Sequence, residues 1–258
     1  MKKEIGFEER KQIQLDMLKE IDAFCRANNI RYSLAFGTLL GAVRHKGFIP
    51  WDDDVDILMP LPDLLRFKEI FHSKTLKYCD VDTEKHFEYH FSRITHKGTY
   101  NKRGLFNRSY GICIDLYVLI SIPDNEEERE RFFVEAYKLQ KKRLLLKKIK
   151  SLISRYTPIN IIPGFDKAVR DFHDYFFYHT EYNSTKTWYA LAGALPLKEK
   201  MIYDFDLFEN MTELQFEDGN YPVIANFDRY LTLRYGDYMQ LPPENQRHPY
   251  HGGHYYWK

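Results

Sequence analysis

Four carboxylates fall within five residues at Asp52, Asp53, Asp54 and Asp56, at the mouth of the apolar run Val55 to Met59. Crowding of this kind is electrostatically unfavourable unless a cation relieves it. On a strand, side chains two residues apart share a side, so Asp54 and Asp56 can grip one ion while Val55 and Ile57 face the core. Hard oxygen ligands without a nearby His or Cys cluster favour Mg2+ or Mn2+ over zinc. The alternative is an acidic turn that caps a helix. Asp52 and Asp53 fit either a position behind the ligands or a solvated surface. A further acid, Asp115, is the only charge in the strand-like segment Gly111-Ile112-Cys113-Ile114-Asp115-Leu116-Tyr117. A lone buried acid needs a partner, and either a metal or a salt bridge would supply one.

Upstream of the acids, Leu34 to Leu40 reads as strand, turn and helix. That places Gly37, Thr38 and the first amides of a helix where unpaired N–H groups and the helix dipole would stabilise a phosphate. Arg44, His45 and Lys46, just upstream of the acids, and Arg93 and Lys97, between Asp56 and Asp115, can neutralise diphosphate charge. Each equally fits a solvated or structural role.

The elements that must hold these residues follow from periodicity. Residues 7 to 28 carry Leu18, Ile21 and Cys25 at helical spacing, ended by Asn28 and Asn29. Ile30 to Ala35 reads as a strand, Thr38 to Arg44 as a helix, Val55 to Met59 as a strand and Leu64 to His72 as a helix. Strands are predicted near Leu76 to Val81, Tyr89 to Ile94 and Ile112 to Leu119 on their β-branched and aromatic content. Asn125 to about Ser151 is strongly helix-forming, and helices recur near Phe165 to His179 and Ile224 to Tyr235. The expectation is a mixed α+β core over residues 1–122 and a mainly helical region over 123–258 packed on it. Tyr156 to Gly164, with two prolines, is the candidate boundary. The tail from Leu241 reads as irregular.

Composition limits the partners. With 38 Lys plus Arg against 37 Asp plus Glu, there is no net field to gather nucleic acid, and none is expected as a partner. Three widely spaced cysteines without a CxxC pair fit a reducing cytoplasm. No window reaches the length of a membrane span, although Lys138 to Lys150, with seven Lys or Arg in thirteen residues, fits either a solvated helix on the core or a peripheral contact with an anionic bilayer.

The run from Phe36-Gly37-Thr38 through Arg44-His45-Lys46 to Trp51-Asp52-Asp53-Asp54-Val55-Asp56-Ile57 resembles the LicD family of phosphocholine transferases. The resemblance continues through Ile114-Asp115-Leu116, Leu233-Arg234-Tyr235-Gly236-Asp237-Tyr238 and Leu241-Pro242-Pro243. Fukutin and fukutin-related protein are more distant relatives with a similar acidic core. The resemblance implies a nucleotidyltransferase-like mixed sheet flanked by helices. It also implies transfer of phosphocholine or a related phospho-alcohol from CDP-choline or another CDP-alcohol, with release of CMP. The acceptor would be a sugar hydroxyl on a surface glycan, teichoic acid, lipooligosaccharide precursor or other lipid-linked saccharide. Asp54, Asp56 and Asp115 would hold the metal, with Asp115 placed to accept the hydroxyl proton. Gly37, Thr38, Arg44, His45, Lys46, Trp51 and Arg93 would face the donor. A choline headgroup would rest on aromatic faces, for which Trp51, Tyr110, Tyr117 and the tail aromatics are candidates. The tail Arg247 to His254 fits either closure over the site or a loose end. The rival readings are a nucleotidyltransferase acting on the α-phosphate of a nucleoside triphosphate, and a noncatalytic glycan-binding module.

Overall fold

The structure, a computed structural model, describes residues 3–103, 107–157, 162–179, 181–182, 184–191, 195–204, 206–249 and 253–258. Strand β1 (Glu4–Ile5) leads into α1 (Phe7–Ala27), whose Ile13, Met17, Leu18, Ile21 and Cys25 recur at helical spacing and are buried. Strand β2 (Ser33–Leu34) is shorter than predicted because only these two residues pair with a neighbouring strand, and α2 (Phe36–His45) begins at Phe36, which places Gly37 and Thr38 inside its first turn. Then come β3 (Asp56–Pro60), α3 (Leu61–Ile70) and β4 (Leu76–Cys79). They are followed by β5 (Ser92–His96), β6 (Thr99–Arg103), β7 (Asn107–Ser109) and β8 (Cys113–Ile122).

The second half opens with α4 (Glu126–Tyr156), whose first turn is capped by the Asn125 side chain accepting from the Glu128 amide. It continues with α5 (Phe165–Tyr178), β9 (Thr187–Leu191), β10 (Ile202–Tyr203), β11 (Met211–Phe216) and β12 (Gly219–Ile224). Helix α6 (Phe227–Tyr235) and β13 (His254–Trp257) complete it. The second half is mainly helical as expected, with five short strands between and after its helices. Residues 158–161 of the predicted boundary and 250–252 of the tail lie outside the described residues.

The central sheet runs β10-β9-β8-β3-β2, and β5 joins it against β8 with β4 beyond. Only β3 and β8 among these pair in parallel, so the sheet is mixed and the fold is α+β. Parallel pairing needs a long crossover between the two strands. Here the crossover spans the whole stretch from α3 to β7. A second sheet, β1-β13-β6-β7, clamps the predicted loose tail between two strands of the amino-terminal half. The core is dominated by fully buried β3 and β8 residues such as Ile57, Met59, Leu116 and Leu119, with α1, α2 and α3 packed against them. No described helix is long and apolar enough to cross a membrane.

Candidate active site

Register decides where the acids meet. In the parallel pair, Asp56 on β3 stands directly opposite Asp115 on β8, and across the next pair Asp115 stands opposite Arg93 on β5. Cross-strand partners project to one face, so a carboxylate, a carboxylate and a guanidinium form a row across three strands. Val55 and Ile57, one residue either side of Asp56, are fully buried on the other side as the alternation requires. Asp115 also donates its amide to the Val55 carbonyl, which ties the acidic loop to β8.

Arg93 holds Asp115 through both oxygens, with Nε 2.6 Å from Oδ1 and Nη2 donating to Oδ2 at 2.8 Å. Its guanidinium lies 3.7 Å over the Tyr89 ring. Asp56 has no such relief. It is buried, and its Oδ1 has no hydrogen-bond partner among the described residues. Burial first, then the charges of Asp54, Asp115 and Asp52, push its carboxyl well above the usual carboxylate range, with Arg93 opposing. An orphaned buried oxygen among further hard oxygen donors fits a divalent cation. Asp54 and Asp56, helped by Asp115, are the residues that would hold it.

Among the described residues, the three carboxylates that bring an oxygen each within 4.8 Å of one another are Asp52, Asp53 and Asp54. Asp56 and Asp115 stand outside this group. Two ion pairs flank the acids: Arg93 holds Asp115 from β5, and the buried Arg10 of α1 donates to Asp53 Oδ2 at 2.8 Å. Asp52 lies against the first turn of α2, where a Cβ on Gly37 would come within 2.5 Å of its Oδ2.

Thr38 serves the acids from below. Its buried hydroxyl accepts the Asp56 amide at 2.8 Å, and so fixes the start of β3. Arg44, His45 and Lys46 sit at the far end of the ten-residue α2, about 10–14 Å along its axis from Gly37. Arg44 donates to the carbonyls of Tyr238 and Gln240, which pins the segment after α6. His45 meets Trp51 edge-on at 6.3 Å, and burial with the neighbouring Arg44 lowers its pKa. Lys46 is exposed, and Arg247 lies 5.6 Å over Trp51. The structure thus groups Asp54, Asp56, Asp115 and Arg93, and sets Arg44, His45 and Trp51 in a second cluster with Arg247.

The cavity beside the acidic row holds about 770 Å³, within the range of small-molecule sites. Asp54, Asp115 and Arg93 line it, with Tyr89, Tyr117 and Tyr255 as aromatic walls. Sequence reasoning missed Arg10, Tyr89, His90 and Arg143 as lining residues. Arg10 and Arg143 sit within helices among many charges and have no local signal. Tyr89 and His90 fall in an aromatic stretch whose direction only the sheet reveals. Cys113 also lines the cavity, but burial pushes its thiol up to about 12, which removes it as a nucleophile.

Residues 29–156 match the profile of the family described as LicD/FKTN/FKRP, nucleotidyltransferase domain, and so span the acidic loop, β5 and β8. The chain is also 26% identical over 267 residues to the lipopolysaccharide cholinephosphotransferase LicD of Haemophilus influenzae, an alignment covering 96% of this chain and 97% of that one. The chain belongs to the LicD family. An uncharacterised protein of Rickettsia typhi is 44% identical over 63 residues, 24% of this chain and 20% of its own length. The LicD-family profile takes in Gly37, Thr38, Asp54, Asp56, Arg93 and Asp115 but ends within α4. Arg10 and Tyr255 fall outside it and enter the site only through α1 and β13.

Proposed function

We propose that the chain transfers phosphocholine from CDP-choline, or a related phospho-alcohol from its CDP-activated form, to a sugar hydroxyl of lipopolysaccharide or a similar surface glycan. CMP is the leaving group. The observation that carries this reading is the end-to-end likeness to a lipopolysaccharide cholinephosphotransferase, with Asp54 and Asp115 lining one cavity. The acceptor oxygen bonds to the phosphorus bearing the alcohol, and the bond from that phosphorus to the oxygen of CMP breaks. Asp115, held by Arg93, takes the hydroxyl proton. Tyr117, a cavity wall beside the acids, offers an aromatic surface for a quaternary ammonium, whereas Tyr89 and Tyr255 already carry Arg93 and Arg10 over their rings. A Mg2+ or Mn2+ ion held by Asp54 and Asp56 would supply charge neutralisation for the diphosphate. Neither attack on a nucleoside triphosphate nor glycan binding without turnover is favoured, because the likeness to a cholinephosphotransferase runs the whole length of the chain.

A donor screen tests the reading. CDP-choline, CDP-ethanolamine, CDP-glycerol and CDP-ribitol are each added with Mg2+, and melting temperature and CMP release are followed. At about 100 times its Kd a true donor stabilises the fold by about 2.7 kcal/mol, which raises the melting temperature by roughly 5–10 °C at this chain length. One donor should give both the shift and CMP release in the presence of lipopolysaccharide. Release of pyrophosphate from a nucleoside triphosphate, with no CMP from any CDP-alcohol, would overturn it.

A further inference from the structure

Helix α4 is built inside out along its second half. Gln140, Arg143 and Lys150 turn inward and are buried, while Leu144, Leu145, Ile149 and Leu152 turn outward and are exposed. A helix lying on an ordinary apolar core presents the reverse pattern. Both sides of this inversion need a cause.

On the inner side, Arg143 is only 4% exposed and lines the cavity of the acidic row, yet no described residue gives it a hydrogen bond or a carboxylate partner. Its nearest aromatic is Phe172, with the guanidinium 5.1 Å from the ring centroid. Burial pushes its pKa down to about 10, with no opposing charge to raise it. The two other buried arginines of the cavity, Arg10 and Arg93, each hold an aspartate. Beside Arg143 lies His90, fully enclosed, with neither ring nitrogen partnered among the described residues. Burial first, then the charges of Arg143, Lys147 and His173, holds it in the neutral form, which still offers one N–H. Buried cations are kept where something supplies the opposite charge.

We propose that Arg143 and His90 form an oxyanion-binding subsite in the active-site cavity, which takes a phosphate or carboxylate of a substrate at a point the metal-binding acids cannot serve. That group is either the donor diphosphate or an acidic substituent of the acceptor glycan. The subsite deepens the phosphocholine-transfer reading and rests on it only for the substrate's identity. The test compares wild type with Arg143→Met and Arg143→Lys. Inorganic pyrophosphate should raise the melting temperature of wild type and of Arg143→Lys but not of Arg143→Met, a readout that needs no turnover. Arg143→Met should itself melt no lower than wild type without ligand, since it removes an uncompensated charge. In turnover, a rise of roughly 10- to 100-fold in the CDP-choline KM alone assigns the donor. The same rise for lipopolysaccharide, lost when its phosphates are removed with hydrofluoric acid, assigns the acceptor. Equal pyrophosphate shifts in wild type and Arg143→Met, or a large loss of ligand-free stability, would overturn the subsite. Failure of wild type to release CMP would instead overturn the reaction and leave the pyrophosphate comparison standing.

The outer side carries a second inference. Val134, Tyr137, Leu144, Leu145, Ile149 and Leu152 are six of the twelve exposed large hydrophobic residues of the described chain, with Leu145 and Leu152 61% and 62% exposed. Lys138, Lys141, Lys142 and Lys148 are exposed among them. We infer that this face docks on an anionic lipid bilayer, with leucines at the acyl boundary and lysines on the headgroups. A second copy of the chain fits less well. The apolar and the basic stretches share a midpoint near Leu144, so antiparallel pairing of two such helices would set lysine on lysine. Sedimentation with vesicles of phosphatidylcholine plus phosphatidylglycerol should retain the protein, and pure phosphatidylcholine should not. Lys138→Gln with Lys141→Gln and Lys142→Gln should weaken binding roughly five-fold per lysine. Leu144→Gln with Leu145→Gln and Leu152→Gln should abolish it without lowering the melting temperature. Binding of the leucine variant at wild-type strength would overturn the inference, as would absence of binding at low salt. So would a wild-type dimer in solution that the leucine variant converts to monomer.

Discussion

Asp56→Asn is expected to abolish transfer while raising the melting temperature of the metal-free protein at neutral pH. The two effects have one origin. Asp56 is buried with an unpartnered Oδ1 and with the charges of Asp54, Asp115 and Asp52 around it, so its folded pKa lies well above that of the unfolded chain. A carboxyl raised in this way contributes stability that is fully present below its unfolded pKa of about 3.9 and is lost as pH rises through the folded value. At neutral pH the metal-free fold therefore bears the cost of holding Asp56 either ionised or protonated, which Asn removes. The variant should melt a few degrees higher, at about 2–4 °C per kcal/mol for this chain length, and its stability should depend less on pH between acid and neutral. Mg2+ should raise the melting temperature of wild type and leave Asp56→Asn nearly unchanged. Transfer should fall by more than the roughly 10- to 100-fold typical of residues that only support a ligand from behind. A variant that keeps activity within a few-fold of wild type at limiting Mg2+, or that melts lower without metal, would remove Asp56 from the metal site.

The acids were legible because each is a charge in a stretch that otherwise demands burial. Asp56 sits in an apolar run and Asp115 is alone in its strand, and both prove buried and paired in register. What the sequence hides is register itself: nothing local says that residue 93 will face residue 115, so from sequence alone Arg93 fits a diphosphate partner and a structural role equally. The same limit hid Thr38, whose hydroxyl serves a backbone amide eighteen residues away. The long helices were readable from period and propensity, whereas β9 and β13 are short and pair with strands distant in sequence, and the two-residue β10 is held only by β9. The β11–β12 hairpin did carry a signal. Its Met211 to Phe216 run, with Leu214 and Phe216 two residues apart, ends at Glu217-Asp218-Gly219, where Glu217 takes the left-handed φ of 54° that such a turn requires. Arg143 left no trace in local sequence, since a basic residue in a lysine-rich helix reads as solvated until the helix is seen to turn it inward.

Asp115→Asn should separate donor binding from transfer. In the row across β3, β8 and β5, Asp56 is the carboxylate without a counterion and Asp115 is the one already neutralised by Arg93. A metal on the donor phosphates therefore depends chiefly on Asp54 and Asp56, and donor affinity in Asp115→Asn should stay within a few-fold of wild type. Loss of the proton acceptor should cut turnover by about 10²- to 10⁴-fold. Stability complicates the comparison, because the Arg93 and Asp115 side chains are only 12% and 8% exposed and removing one partner leaves the other buried and uncompensated. Such losses typically cost about 3–5 kcal/mol. The double variant Arg93→Met with Asp115→Asn removes both charges, and should recover most of the lost melting temperature without recovering turnover. Calorimetry of CDP-choline binding with Mg2+, run beside a CMP-release assay on both variants and on Asp54→Asn, reads each quantity separately. If Asp115→Asn lost donor binding as fully as Asp54→Asn, Asp115 would be a plain metal ligand. If the double variant regained stability and turnover together, the Arg93–Asp115 pair would be a structural bridge across the sheet, and the proton would have to leave by another group.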